Sequence, residues 1–152
     1  MVDMRIQNMK VGEKFSTTPR VVTATDIETF CTLSGMVHPV FMSDSYVRSD
    51  TCSQAIGLTG RVAPGQLLLS IMMGSLMDSG ILNDVVVQLG INNVKFRTPC
   101  YPYDMVHTEI EITGNRETKS GDRIIVDYKW QLVKQDGNPV VVGENTCMFK
   151  KT

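Results

Sequence analysis

The side chains able to move a proton or attack a carbonyl are few and scattered. Two histidines, four cysteines and sixteen carboxylates are distributed over 152 residues, and none of them forms a cluster with ligand or triad spacing. His38 lies in the stretch Gly35-Met36-Val37-His38-Pro39-Val40-Phe41, where the proline ring pushes His38 into extended geometry and breaks any helix. It is the one titratable residue near the centre of that loop. A general base is one reading of it, and a hydrogen-bonded loop histidine is the other. His107 shares an alternating face with Glu109 and Glu111, which suits a solvated surface. Cys31, Cys52, Cys100 and Cys147 have no CxxC or Cys/His spacing and are expected as buried or half-buried thiols that pack like small hydrophobes. The residues give no reason to expect a metal or a cofactor.

Composition narrows the classes. Hydrophobic residues make up 42% and charged residues 20%, as in a folded globular chain. A net charge of -1 with thinly spread basic residues argues against nucleic acid or an anionic membrane as partner. No apolar stretch approaches the ~20 residues that span a bilayer. The opening MVDMRIQNMKVGEKF has no signal-peptide core, so a cytoplasmic protein is expected. With no linker, repeat or low-complexity tract, one domain over residues 1–152 is the economical division.

The elements that must position these residues fall into two halves, helical up to about residue 82 and stranded from 85 to 150. Phe15 to Val22 reads as a first strand. Thr23 caps a helix, Asp26 suits its first turn, and Ile27, Phe30, Cys31 and Leu33 or Ser34 follow at helical spacing until Gly35. A short helical piece is placed around Asp44 to Arg48. Gly65 to Ser79, GQLLLSIMMGSLMDS, is apolar on nearly every side and is therefore expected to be wrapped. Small residues at Ser70, Gly74 and Ser75 would admit neighbouring backbone.

Beyond Val85 to Arg97, an early strand, the pattern alternates. Val106, Thr108, Ile110 and Ile112 face one way, and Ile124, Val126, Tyr128, Trp130 and Leu132 repeat the scheme. Asn115 to Gly121 marks a turn, and Asp136-Gly137 marks a hairpin completed by Val140 to Phe149. The class is α+β: an antiparallel sheet around a long central helix, the arrangement called a hot-dog fold.

VGEKF, TATDIETFCTLSG, HPVFMSDSYV, GRVAPGQLLLSIMMG, NNVKFRTPCYPYDMV and GENTCMF, in that order, resemble the MaoC-like hydratase/dehydratase family, which includes (R)-specific enoyl-CoA hydratases. The resemblance covers nearly the whole chain. It implies a hot-dog fold, usually dimeric, acting on acyl chains held as thioesters of coenzyme A or acyl carrier protein. The family's loop reads Gly-Asp-x-Asn-Pro-(Ile/Leu/Val)-His, whose Asp and His activate the water added across the double bond. On that resemblance Met36 stands at the aspartate, Phe41 at the histidine, His38 at the asparagine and Ser43 at a further acidic position. The family's Ala/Val-His-Gly turn becomes Ala63-Pro64-Gly65. A thioether and a phenyl ring can neither take a proton from water nor give one to carbon.

What the resemblance keeps is a substrate-binding framework at Ala63, Pro64, Gly65 and Gln66. The Gly65 N–H at the helix start is suited to a thioester carbonyl oxygen; alternatively the glycine only permits a tight turn. Met72, Met73 and Met77 read either as an acyl tunnel or as core. Gln66 admits a thioesterase alternative, since it could orient water although it is no base. Asp44 reads as a helix start, Asp78 as an exposed helix end, and Lys95 and Arg97 as carrier-phosphate contacts or solvated strand residues. The expected function is therefore an acyl-CoA or acyl-ACP binding protein without autonomous hydratase activity. The alternatives are an active hydratase or 3-hydroxyacyl dehydratase with relocated or partner-supplied acid–base groups, and an acyl-CoA thioesterase. A homodimer is expected, or a hetero-oligomer with an active subunit.

Overall fold

The computed structural model describes residues 4–152; Met1 to Asp3 lie outside that range. After a single 3-10 turn at Ile6–Asn8 come β1 (Lys14–Ser16), β2 (Arg20–Val21) and α1 (Ala24–Ser34). Three short helices follow: α2 (Pro39–Met42), α3 (Asp44–Ser49) and α4 (Thr51–Ala55). Then come the central helix α5 (Gly65–Asp78) and four long strands, β3 (Val85–Phe96), β4 (Met105–Glu117), β5 (Arg123–Lys134) and β6 (Pro139–Lys150).

The strands form one antiparallel sheet in the order β1-β4-β5-β6-β3, with β2 also pairing β4. Its inner face curls over α5. Leu67, Leu68, Ile71, Met72 and Leu76 of the helix are buried in one core with Ile110, Ile112, Val126, Tyr128, Leu132 and Phe149 of the sheet. Burying each such side chain contributes about 1.5–3 kcal/mol relative to leaving it in water. The α+β hot-dog arrangement thus follows from the alternation of the strands.

Several local expectations change. The single strand over Phe15 to Val22 is two short ones, because Thr17 keeps only half of its ladder pair, donating its N–H to the Thr108 carbonyl at 2.9 Å. Its hydroxyl accepts the Thr108 N–H at 2.9 Å, and Pro19 has no N–H to continue pairing. α1 begins and ends as expected, with a Thr23/Asp26 capping box and Gly35 left-handed at φ 79°. Leu33, however, is 85% exposed and Ser34 is exposed too, so the core face is Ile27 and Cys31, with Phe30 half-buried. Pro39 starts a helix rather than preventing one, since the first helical position needs no N–H. The turn expected from Asn115 begins later: Asn115, Arg116 and Glu117 still pair with Val126, Ile125 and Ile124.

Helix α5 is not wrapped on every side. Gln66, Ser70, Gly74, Met77 and Asp78 form one exposed stripe, at the four-residue spacing of a helix face. The thiols divide likewise, since Cys31, Cys100 and Cys147 are buried but Cys52 is exposed.

One close contact fixes the β5–β6 packing. Trp130 is buried with its Nε1–H donating to Asn145 Oδ1 at 3.0 Å, and Asn145 Nδ2 donates to the Tyr128 hydroxyl at 3.0 Å. The indole lies against Gly143, where an added Cβ would stand 2.5 Å from Trp130 Cζ2. Gly143→Ala is therefore expected to destabilise the protein by about 1–3 kcal/mol. Urea denaturation at constant m-value measures this, and the loss should shrink when Trp130→Leu removes the opposing ring.

Candidate functional site

Three segments converge on the N-terminus of α5 because their backbones are bonded to one another. The Asp44 carboxylate, at the first position of α3, accepts the Arg61 N–H at 2.9 Å. Gly60 is a glycine for a steric reason there, since a Cβ would lie 2.7 Å from Asp44 Oδ1. Arg48 Nε donates to the Thr59 carbonyl at 3.1 Å. Further along, Val62 N donates to the Val40 carbonyl at 3.0 Å and Ala63 N to the Cys100 carbonyl at 2.8 Å. Asp44 is thus more than a helix start: it ties α3 to the loop that delivers α5.

Between these segments lies a cavity of about 420 Å³. Phe41 of α2 forms one wall, and Leu58, Val62 and Ala63 come from the incoming loop. Gly65, Gln66 and Leu68 of α5 form the floor, and residues Phe96 to Cys100 close the far side. Of the loop residues singled out in the sequence, Phe41 reaches the cavity. Met36 is half-buried but does not line it, and Pro64 is buried behind it. Ala63, Gly65 and Gln66 do line it. Leu58, Val62, Leu68, Phe96 and Cys100 had no signal in the sequence beyond being apolar. Met72 is fully buried and Met77 is 50% exposed, and neither they nor Met73 lines the cavity, which favours the reading of these methionines as packing.

His38 is exposed and outside the cavity. Its Nδ1 accepts the Val40 N–H at 3.0 Å and so caps α2. That bond uses the Nδ1 lone pair and leaves the neutral ring's proton on Nε2, so the ring has no free lone pair to act as base while it caps. His107 is half-buried rather than fully solvated, with Nε2 2.8 Å from Glu109 Oε2. Glu109 is held below its usual carboxylate range, first by that bond and then by one from Gln131.

The α5 terminus itself has no side-chain cap, with Pro64 in the capping position. Uncapped first-turn N–H groups and the helix dipole make a place for a carbonyl or carboxylate oxygen. Gly65 takes ordinary helical geometry as the first residue of α5, so the tight-turn reading of that glycine does not hold. Space explains it instead: an added Cβ would lie 2.4 Å from Phe96 Cε1 and 2.7 Å from Cζ. The ionisable groups on the cavity wall are Arg97 and Cys100. Burial first, and nearby Asp104 second, push the Cys100 thiol up to about 12 from its ordinary 9.0, against a smaller pull from Lys134.

A second hollow, about 460 Å³, lies on the outer face of the sheet among Lys14, Glu109, Glu111, Lys129 and Gln131. Glu111 pairs with both Lys14 (3.7 Å) and Lys129 (3.2 Å), so its charges satisfy one another. Among the described residues no group of three His, Cys, Asp or Glu is placed to hold a metal, and no helix is long and apolar enough to cross a membrane.

Residues 6–134 match the model of the MaoC like domain. No curated protein matches the chain by sequence. Solved structures do resemble it. The MaoC-like dehydratase from Rhodospirillum rubrum is 22% identical with a TM-score of 0.81, covering 98% of this chain and 99% of that one. The (R)-hydratase from A. caviae involved in PHA biosynthesis is 23% identical with a TM-score of 0.73, covering 93% and 97%. The HadBC (3R-hydroxyacyl-ACP dehydratase) complex from Mycobacterium tuberculosis gives 20%, 0.72, 94% and 99%. At these identities the likeness confirms the hot-dog fold.

Thiol chemistry tests the cavity's electrostatics. At pH 8 a disulfide reagent should titrate Cys52 alone in the native protein and the three buried thiols only on unfolding. Above the unfolded thiol's value near 9 and up to about 12, the unfolded chain loses a proton that folded Cys100 keeps. Stability should therefore be fully present below pH 9 and fall as pH rises, by up to about 1.4 kcal/mol per pH unit for one thiol. Urea midpoints from pH 8 to 10.5 should fall more steeply for the wild type than for Cys100→Ala; parallel curves would contradict the assignment.

Proposed function

We infer the function from the premise that this chain belongs to the MaoC-like domain family: it binds an acyl group carried as a coenzyme A or acyl carrier protein thioester, and its own side chains do not add water to it. The observation that carries this reading is the make-up of the cavity. It combines apolar walls and an uncapped helix terminus with no lining group able to exchange a proton near neutral pH.

In this reading Met36 and Phe41 occupy the positions where active relatives carry a carboxylate and an imidazole. Phe41 lies on the wall itself, so an imidazole at the same place would face the ligand. Gly65 N–H is the donor for the thioester carbonyl oxygen, and the Ala63-Pro64 turn aims it. Arg97, exposed at the rim with no hydrogen bond or ion pair from its side chain among the described residues, would meet a carrier phosphate. Gln66 could hold a water near the thioester, but an amide cannot deprotonate it, which disfavours hydrolysis.

A second reading has its own observation. β3 is an edge strand whose Val86, Val87, Leu89 and Ile91 are all exposed. A free edge of that kind with apolar side chains pairs readily with another strand. A dimer through β3 is the proposed assembly, either with a second copy or with a different subunit that brings the acid–base groups; HadBC, of similar fold, is itself a complex.

Two outcomes are expected. Calorimetry should detect acyl-CoA binding, while the purified protein leaves trans-2-enoyl-CoA unhydrated. Phe41→His, which puts an imidazole on the cavity lining, should give measurable hydration, since a positioned acid–base group supplies roughly 10²–10⁴; adding Met36→Asp, off the lining, should add less. Robust turnover by the unaltered protein sinks the non-catalytic reading. Separately, Leu89→Lys should shift the protein from dimer to monomer in light scattering after size exclusion, without loss of helical signal.

A further inference from the structure

Phe96 is an unexpected neighbour for the start of α5. Its ring fills the space that a side chain at residue 65 would take, with three ring carbons within 3 Å of the would-be Cβ. It lines the cavity together with Arg97 and Phe41. Yet the residue is 55% exposed, so a large part of the ring has no protein packed on it. A ring held on one side only can swing with little loss of contact.

The placement of this ring is built into the strand. β3 and β6 pair Asn92 with Glu144 and then Lys95 with Val142, three steps on β3 against two on β6. The extra residue is a bulge. Asn93 lies in it with φ 55° and its Nδ2 donating to Glu144 Oε2 at 2.7 Å. A bulge reverses which side chains face inward beyond it. Phe96 therefore pairs with the buried Val141 on the inner face. Were every residue from Asn92 onward to pair in turn, with no bulge, Lys95 would fall opposite Val141 instead. Asparagine tolerates left-handed geometry better than most residues, and its bond to Glu144 holds the bulge in register.

We propose that Phe96 is an aromatic gate on the thioester site: its ring lies over Gly65 in the free protein, and a carbonyl reaches the Gly65 N–H when the ring swings outward. The gate rests on the acyl-thioester reading above. Apparent affinity is then the intrinsic affinity scaled by the fraction of molecules with the ring away. The same contact explains the glycine: a methyl group at residue 65 would drive the ring out permanently or break the packing.

Hexanoyl-CoA titrated by calorimetry into the full-length wild type and Phe96→Ala tests the gate, alongside a stability cycle of Gly65→Ala, Phe96→Ala and the double variant. The gate predicts binding tightened by roughly tenfold in Phe96→Ala. It also predicts that Gly65→Ala lowers the melting temperature of the wild type by several degrees but changes the Phe96→Ala background little. Equal or weaker binding by Phe96→Ala, with the wild type binding, overturns the gate and leaves the thioester reading standing. No heat from either protein overturns both. Additive stability effects in the cycle would show that ring and glycine are not in contact, which also overturns the gate.

Discussion

Helix α5 has fourteen residues and one charge, Asp78 at its last position, and such a helix cannot stand in water. Its five buried side chains force a sheet to close over it, and the sheet has to be long, because a helix of that length spans about 20 Å. Strands of twelve or thirteen residues are long enough to cross it obliquely while twisting. The inner face then has no room for charge. Its buried polar groups are matched internally: Thr108 to Thr17 and to the Met72 carbonyl, and Asn145 to Trp130 and Tyr128.

Covering the helix body leaves its first turn to be managed separately. Most helices of this size carry a serine, threonine or aspartate at the cap, as α1 does with Thr23, whereas α5 begins at Pro64-Gly65 with no capping side chain. The omission costs on the order of 1 kcal/mol. The surrounding segments are nevertheless held firmly, by Asp44 to Arg61, Val62 to Val40 and Ala63 to Cys100. A rigid frame around an uncapped terminus is what binding an oxygen there requires, because donors fixed in advance need no reordering when the ligand arrives.

The sequence made the regular parts legible and the irregular ones opaque, for the same reason. α1 was readable at both ends because its capping box and terminal glycine are local chemistry, and β4 and β5 were readable because alternation is local too. The split between β1 and β2 was not, since it depends on Thr17 meeting Thr108 across 91 positions of chain. The bulge at Asn93 and the meeting of Phe96 with Gly65 were hidden likewise. Nothing near Gly65 in sequence says that a ring will need its space. His38 reads from sequence as either a base or a hydrogen-bonded loop histidine, and only the Pro39 helix start, with the bond His38 accepts from the Val40 N–H, decides for the second. The wrapping of α5 was overestimated because periodicity reports how apolar a helix is, not how many faces one chain can cover. Serine and glycine on the open stripe are compatible with either water or a neighbouring subunit.

The proposed loss of chemistry and the retained architecture are best understood together. Acid–base residues are two side chains on a loop, and exchanging them for a thioether and a phenyl ring leaves packing intact: Phe41 packs against the core as a half-buried side chain. Replacing the frame would be far more costly, since the turn before α5, the Asp44 tie and the strand end at Phe96 each serve the fold as well as the cavity. Reactivity in such a domain is therefore separable from stability, whereas binding is not. An aromatic residue at position 41 also makes the wall more apolar than an imidazole would, which would strengthen the hold on the proposed hydrocarbon chain and keep water from its thioester. On the proposed function, the residue that denies the cavity an acid–base group would thus also favour keeping an acyl group unreacted.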